Sequence, residues 1–160
     1  MAFELIIYQT LIDQKIPAPL AKLITAQSQF ESGNYKSRVF LTDNNAFGYK
    51  YVGQKIASKG LPSPKSEGDN YARYASVKDS AIELANWVKR RVKEKRFPAL
   101  NTITTAEQYS KLLKDTNYHT SAESNYTKGL KYYLDKLKIG STLPVIGLFI
   151  LAAFFFLRRK

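Results

Sequence analysis

The chain has 160 residues, 44% of them hydrophobic and 24% charged, so it is long enough for one folded domain and too apolar to be disordered. It contains no cysteine and one histidine, which excludes disulfide scaffolds, thiolate metal sites, cysteine nucleophiles and centres built from several histidines. Its 25 lysines and arginines against 13 acidic residues give a net charge of +12, which favours an acidic partner such as a wall polymer, anionic lipid or nucleic acid.

Two helices are predicted at the start of the chain. The first covers Phe3–Gln14, and a pair of prolines ends it and opens the second at about Pro19–Ser32. In the second helix, five side chains have the spacing that places them on one face: Leu20, Leu23, Ile24, Gln27 and Glu31. A glutamate therefore ends an apolar stripe. Gly33 stops this helix, and Ser37–Ala46 is predicted to be a loop.

The middle of the chain predicts a small β lobe followed by more helices. Two aromatic-rich runs, Phe47–Val52 and Tyr71–Ala75, are separated by glycines and prolines, which is typical of a hairpin or an extended lobe. Three helix caps are then predicted, at Ser76–Asp79, Thr104–Glu107 and Thr120–Glu123. The last helix would turn these side chains inward: Tyr126, Leu130, Tyr133, Leu134 and Leu137. The predicted fold class is mainly α with a small β-hairpin lobe.

The C-terminal end predicts a membrane anchor. No charged residue lies between Ile139 and Leu157, and this segment would extend roughly 28 Å as a helix, close to the hydrocarbon thickness of a bilayer. We therefore expect one domain over residues 1–138 and, over residues 139–160, one transmembrane helix with a basic tail. A buried C-terminal core helix is the alternative. Basic residues flank both ends of the segment, which leaves its orientation open, and Met1–Leu11 does not have the pattern of a signal peptide.

Glu31 is the residue that the pattern selects for chemistry. A carboxylate on an apolar helix face is partly desolvated, and near the helix C-terminus it also meets the negative end of the helix dipole. Both effects raise its pKa, as a general acid requires. The alternatives are a surface glutamate at a frayed helix end and a partner in a buried ion pair.

Two motifs around this glutamate resemble a known family. The run from Ala26 to Ser37 contains Glu31-Ser32-Gly33, and Asn44-Asn45-Ala46-Phe47-Gly48-Tyr49-Lys50 follows after a loop. Both are similar to the bacterial and phage glucosaminidase family of the lysozyme-like superfamily, whose members cleave peptidoglycan. Weaker similarity is found at Tyr71–Ser76 and at Tyr118-His119-Thr120 ahead of Tyr126. The resemblance covers about Leu20 to Leu137 and implies a lysozyme-like α+β fold.

The resemblance also implies roles for individual residues. Glu31 would protonate the glycosidic oxygen, and Tyr118 would position the substrate or stabilise charge near it. Sugar contacts would come from Asn44, Asn45, Phe47, Tyr49 and Tyr126, whose amides and aromatic faces suit pyranose rings. A second carboxylate, Glu67 or Asp69, would activate water in an inverting arrangement. Asp43 is a less favoured candidate, and the acetamido oxygen of the substrate is the alternative to a second carboxylate.

These expectations predict one function and leave two alternatives. The predicted function is a membrane-anchored peptidoglycan hydrolase, a glycoside hydrolase of the β-N-acetylglucosaminidase or lysozyme type. It would be associated with a phage or virion and act in wall penetration or lysis. Its partners would be glycan strands, a lipid bilayer and virion or membrane proteins. The alternatives are a lytic transglycosylase and a non-catalytic lysozyme-like structural membrane protein of a virion. No metal or cofactor is expected, and nucleic acid ranks last because the basic run Lys89–Arg96 lacks a recognition motif.

Overall fold

The computed structural model describes residues 2–64 and 68–139, in which helices predominate over one small sheet. This confirms the predicted fold class of a mainly helical domain with a β lobe. The elements are α1 (Phe3–Asp13), α2 (Ala18–Glu31), α3 (Arg38–Asp43), β1 (Ala57–Pro62), β2 (Asn70–Tyr74), α4 (Val77–Lys93), α5 (Ala106–Asp115) and α6 (Glu123–Lys136), with a 3-10 turn at Leu100–Thr102.

Helix α2 is the centre of the core. It packs against α1 on one side and against α6 and α5 on another, while α1 also packs against α4. The four apolar-face residues predicted ahead of Glu31 are all buried: Leu20, Leu23, Ile24 and Gln27. Because α2 is enclosed almost to its last turn, the position of Glu31 at its end is fixed by the core itself.

The β lobe is an antiparallel hairpin of β1 and β2, with Ala57 opposite Tyr74 and Lys59 opposite Ala72. The predicted strand at Tyr71–Ala75 is confirmed, shifted by one residue, but Phe47–Val52 is not its partner. That run only lies beside β2 through one bridge between Lys50 and Tyr71, because glycines with positive φ at 48 and 53 turn the backbone at both of its ends.

A buried carboxylate attaches this hairpin to the helices. Asp43, at the end of α3, is fully buried, and its carboxylate accepts hydrogen bonds from Arg73 Nε at 2.7 Å and from the Leu61 N–H at 2.8 Å. A Cβ added at Gly60 would lie 2.6 Å from Asp43 Oδ2, so a side chain there would push the carboxylate away. Asp43 therefore has a structural position and not the catalytic one considered for it.

Helix α3 replaces part of the loop predicted at Ser37–Ala46. The Ser37 hydroxyl accepts a hydrogen bond from the Phe40 N–H at 3.1 Å and caps the helix. Phe40 is buried against Phe3 and Tyr35, with ring centroids 4.9 and 5.1 Å away. The single turn and a half of helix is therefore stabilised by tertiary packing, which the local sequence pattern does not reveal.

The predicted caps have three different outcomes. Ser76 caps α4 as predicted, accepting from the Asp79 N–H. Helix α5 is capped one residue later than predicted, since Thr105 forms a reciprocal capping box with Gln108. Helix α6 begins after Ala122 without a side-chain cap, so the predicted Thr120 cap is wrong. In α6, Tyr126 and Leu130 are buried, and the later members of the predicted inward stripe are only partly covered.

The predicted anchor lies outside the described residues except for Ile139. That residue is only 8% exposed and belongs to the buried part of the fold. Across residues 2–64 and 68–139, none of the helices has both the length and the apolar character needed to cross a bilayer.

Candidate active site

The chain leaves α2 through a fixed turn directly after Glu31. Three consecutive residues from Gly33 to Tyr35 have positive φ, which reverses the backbone. The buried Ser32 hydroxyl donates to the Ser28 carbonyl at 2.6 Å and accepts from the Tyr35 N–H at 2.8 Å. The serine and glycine of the Glu-Ser-Gly motif thus hold the end of the helix, and this fixes the direction in which the glutamate leaves it.

Among the described residues, Glu31 has one hydrogen-bond partner. The Tyr126 hydroxyl of α6 donates a hydrogen bond to Glu31 Oε1 at 2.5 Å, and a Cβ added at Gly48 would lie 4.0 Å from the other oxygen, Oε2. Burial raises the pKa of the Glu31 carboxyl above its ordinary value, and the hydrogen bond from Tyr126 lowers it by a smaller amount. The net result is a carboxyl group that retains its proton to higher pH than a surface glutamate.

A cavity of about 910 Å³ opens next to this carboxyl. Seven of the residues that line it are phenylalanines, tyrosines or tryptophan: Phe30, Phe47, Tyr49, Tyr71, Trp87, Tyr118 and Tyr126. Burial raises the pKa of the Tyr49, Tyr118 and Tyr126 hydroxyls well above the usual value, so they remain protonated and able to donate hydrogen bonds. A cleft with aromatic walls beside a carboxyl group whose pKa is raised suits general acid catalysis on a sugar.

Asn45 holds the loop that forms one wall of the cavity. Its side-chain oxygen accepts from the Phe47 and Tyr49 N–H groups, at 3.3 and 3.1 Å. Its side-chain nitrogen donates to the carbonyls of Tyr49 and Ala72, both at 2.9 Å. Since both ends of this amide are bonded to backbone and the residue is 1% exposed, Asn45 shapes the cleft wall through the backbone.

Tyr118 also acts on this loop. Its hydroxyl donates to the Phe47 carbonyl at 2.9 Å, and its ring lies edge-on to Trp87 and Tyr49, with centroids 5.3 and 5.9 Å away. The ring therefore joins α4 to the loop beside Glu31.

The structure brings most of the predicted site residues together. Those that line the cavity are Glu31, Asn45, Phe47, Tyr49, Tyr118 and Tyr126. Asn44 is not among the described lining residues: it ends α3 with a φ of 51° and donates to the Tyr74 carbonyl at 3.1 Å, so the expected sugar contact from Asn44 is not supported. Asp69 is exposed and does not line the cavity in the described part of the chain, and Glu67 lies outside the described residues.

Sequence reasoning missed a charged pair on the cavity wall. Glu83 and Arg90 of α4 both line the cavity, and Arg90 Nη2 lies 3.3 Å from Glu83 Oε1. With Trp87, they occupy positions i, i+4 and i+7, which place them on one helix face. Helical spacing could have grouped these three residues, but nothing local shows that this face meets a cleft. In the described segments, no group of three or more acidic or histidine side chains is arranged to hold a metal ion.

Comparison with known proteins identifies the family of this chain. Residues 12–139 match the glucosaminidase family, described as mannosyl-glycoprotein endo-beta-N-acetylglucosaminidase. No curated protein is similar enough to count as a match.

Three solved structures share the fold. The glycoside hydrolase domain of Salmonella typhimurium FlgJ is 25% identical, with a TM-score of 0.58 over 86% of this chain and 84% of that one. The catalytic domain of the autolysin Auto from Listeria monocytogenes is 19% identical, with a TM-score of 0.53 over 83% of this chain and 78% of that one. A chain of a type VI secretion system effector-immunity complex from Pseudomonas protegens is 13% identical, with a TM-score of 0.51 over 81% of this chain and 86% of that one. The family match extends over most of the sequence and includes the helix that carries Glu31, so this chain belongs to the glucosaminidase family of glycoside hydrolases.

Proposed function

We propose that this chain is a membrane-anchored peptidoglycan hydrolase that cleaves glycosidic bonds between amino sugars of the wall, as a β-N-acetylglucosaminidase does. The observation that carries the proposal is Glu31, a glutamate with a raised pKa that lies on the wall of an aromatic cavity. Family membership, and the likeness to the glycoside hydrolase domain of FlgJ, support a glycan substrate in the wall.

Glu31 is the proton donor in this proposal. In its protonated form it gives its proton to the glycosidic oxygen as the bond to the leaving sugar breaks. The carboxylate left behind then accepts the hydrogen bond from Tyr126, which strengthens as negative charge develops. Tyr126 is thus assigned to the carboxylate, in addition to any contact that it makes with the sugar.

The aromatic walls would bind the sugar rings. Tyr49, Tyr71 and Trp87 line the cavity on the side of the loop, the hairpin and α4, where apolar ring faces can cover the C–H faces of pyranoses. Tyr118 contributes by keeping the Phe47 backbone in place, so we assign it a positioning role near Glu31.

The second catalytic group is assigned to the loop between β1 and β2. We favour Glu67 over Asp69, because its longer side chain can reach further across a cleft, and Tyr71 shows that β2 borders the cavity soon after this loop. On this assignment Glu67→Gln impairs hydrolysis severely, and Asp69→Asn impairs it mildly. If both variants and their double variant retain the wild-type rate, the acetamido oxygen of the substrate assists instead.

The anchor and the location belong to the same proposal. The uncharged segment that follows Ile139 and ends at Leu157 would hold the protein in a virion membrane or a bacterial inner membrane as a single-pass segment, with the catalytic domain facing the wall. A lytic domain joined to a membrane segment suits a phage or virion enzyme that opens the wall at entry or assists release.

Mass spectrometry of the fragments released from purified wall tests this function. The wild-type chain is expected to release muropeptides with new reducing ends, and Glu31→Gln is expected to lower the rate by about a hundredfold or more while keeping the fold. Fragments ending in 1,6-anhydro sugars would show a lytic transglycosylase instead. No release by the folded wild-type protein would favour the non-catalytic structural role.

A further inference from the structure

The cavity contains a cation that proton transfer does not use. Arg90, near the end of α4, lines the same cavity as Glu31, and its side chain is 49% exposed. In the described part of the chain its one polar partner is Glu83, through a single guanidinium nitrogen at 3.3 Å. An arginine side chain has five N–H donors, so this contact leaves most of the guanidinium N–H groups available to a ligand.

The position of this guanidinium is fixed by its neighbours. Glu83 is 8% exposed and holds one nitrogen against the cavity wall. Trp87, one turn before Arg90, packs edge-on to Tyr118 and Phe97, which fixes the helix face between them. The next residue, Arg91, is different, because its guanidinium lies 5.2 Å over the Trp87 ring and its Nη1 pairs with Glu94 at 2.9 Å.

We propose that Arg90 is the anion-binding residue of a second subsite, which takes a carboxylate carried by the muramyl side of the glycan. This inference rests on the proposed function, since it assigns a part of the same substrate to the α4 end of the cavity. The N-acetylglucosamine units of a wall glycan are neutral, whereas each muramyl unit carries a lactyl group and, on it, a stem peptide with free carboxylates. A planar guanidinium matches a carboxylate through two parallel hydrogen bonds. The cleft would therefore bind the sugar through its aromatic wall and the acidic substituent through Arg90.

The test uses the full chain and three soluble glycan preparations. The first is intact strands with their stem peptides, the second is strands from which the peptides have been removed so that only lactyl carboxylates remain, and the third is intact strands whose carboxylates have been converted to neutral amides. On intact strands, Arg90→Gln is expected to raise KM about tenfold, as for the loss of one charge-assisted contact, with kcat little changed. On amidated strands, where the ligand charge is already missing, the same substitution should leave KM unchanged.

The control variants keep the result interpretable. Lys93→Gln removes one exposed positive charge from the same helix outside the cavity and should have no effect on any preparation. Arg90→Lys keeps the positive charge but lacks the planar guanidinium, so it should raise KM on intact strands by less than Arg90→Gln does. Thermal melting of each variant identifies a loss of folding that the unpaired Glu83 could cause.

The preparations separate the two sources of the carboxylate. A KM effect on intact strands assigns the stem peptide, because the lactyl carboxyl is bound to that peptide as an amide until the peptide is removed. An additional effect on peptide-free strands shows that the freed lactyl carboxylate can occupy the same site. An equal effect of Arg90→Gln on intact and amidated strands, or no effect on either, would overturn the subsite. Failure of the wild-type chain to cleave intact strands would instead overturn the proposed function.

Discussion

The imidazole of His119 lies flat against the phenol ring of Tyr126, with 3.9 Å between the ring centroids and 4° between their planes. Tyr126 is the residue that donates to Glu31, and the Phe30 ring also packs edge-on to it at 5.1 Å. The tyrosine therefore contacts two rings, one from the loop before α6 and one from α2.

His119→Ala is expected to lower kcat about three- to tenfold. It removes a stacked ring that contributes about 0.5–1.5 kcal/mol to holding the Tyr126 hydroxyl in position. His119→Phe keeps a flat ring and should retain most of the rate. Steady-state kinetics on soluble glycan strands measure both. Equal losses in the two variants would assign the effect to the imidazole nitrogens and not to the stack.

Tyr126→Phe is expected to move the alkaline limb of the pH–rate profile to higher pH and to lower the maximal rate about tenfold. The general acid works only when protonated, so activity falls as the pH rises through the pKa of Glu31. The Tyr126 hydrogen bond lowers that pKa, and its removal lets burial raise it further. Tyr133→Phe, on the same helix but outside the described cavity lining, should leave the limb in place. A shift of the limb to lower pH in Tyr126→Phe would contradict this account.

Glu31→Gln is expected to make the protein more stable than the wild type at neutral pH. Burial raises the folded-state pKa of Glu31, so between the ordinary value of 4.5 and that raised value the folded state binds more protons than the unfolded state. The stability contributed by the protonated carboxyl is complete below 4.5 and is lost as the pH rises through the folded pKa. The difference in Tm between variant and wild type should therefore widen with pH and then level off. Melting curves across this range that run parallel would show that Glu31 titrates normally.

Arg73→Met is expected to lower the free energy of unfolding by about 2 kcal/mol. It removes the guanidinium from Asp43, whose carboxylate is fully buried and, among the described residues, would keep only the hydrogen bond from the Leu61 N–H. Lys59→Met removes an exposed charge from the same hairpin and should change stability by about 0.5 kcal/mol or less. Urea denaturation followed by circular dichroism measures both. A similar small loss in the two variants would show that Asp43 does not depend on its arginine.

A chain that ends after Ile139 is expected to remain in the aqueous phase and to keep its activity, whereas the full chain should need detergent for extraction. The cut is placed after Ile139 because that residue is buried in the described domain. Detergent phase partitioning and wall turnover are the measurements. A full chain that stays in the aqueous phase would overturn the proposed anchor.

Local patterns predicted that Glu31 lies at the end of a buried stripe because helical periodicity is a local property. The stripe that ends at Glu31 needed only the spacing along α2, and the structure buries that stripe as predicted. The cap of α5 was missed by one residue because Thr104 and Thr105 are each followed three positions later by a side chain that can complete a capping box. Only the packing of the helix selects between them.

The rest of the site depends on contacts between distant segments. Asn44 and Asn45 are equivalent in sequence, but Asn44 has a positive φ and its amide bonds to the end of β2, whereas the Asn45 amide bonds to the cleft loop and to Ala72 of β2. In the sequence, Glu83 and Arg90 have the pattern of ordinary charged residues on a helix surface. They line a cavity only because α4 packs beside the loops that carry Tyr49 and Tyr118.

Gly129 bears on the chemistry without touching the reacting groups. A Cβ at this position would lie 2.5 Å from the Phe30 ring, so α6 and α2 can approach each other this closely only where α6 has a hydrogen atom in place of a side chain. Tyr126 precedes Gly129 by one turn on α6, and Glu31 follows Phe30 on α2, so the Tyr126–Glu31 hydrogen bond joins the same two helices beside this contact. We therefore expect the pKa of Glu31 to depend on the distance between α2 and α6. Even one methyl group added at Gly129 would change this pKa by moving the two helices apart.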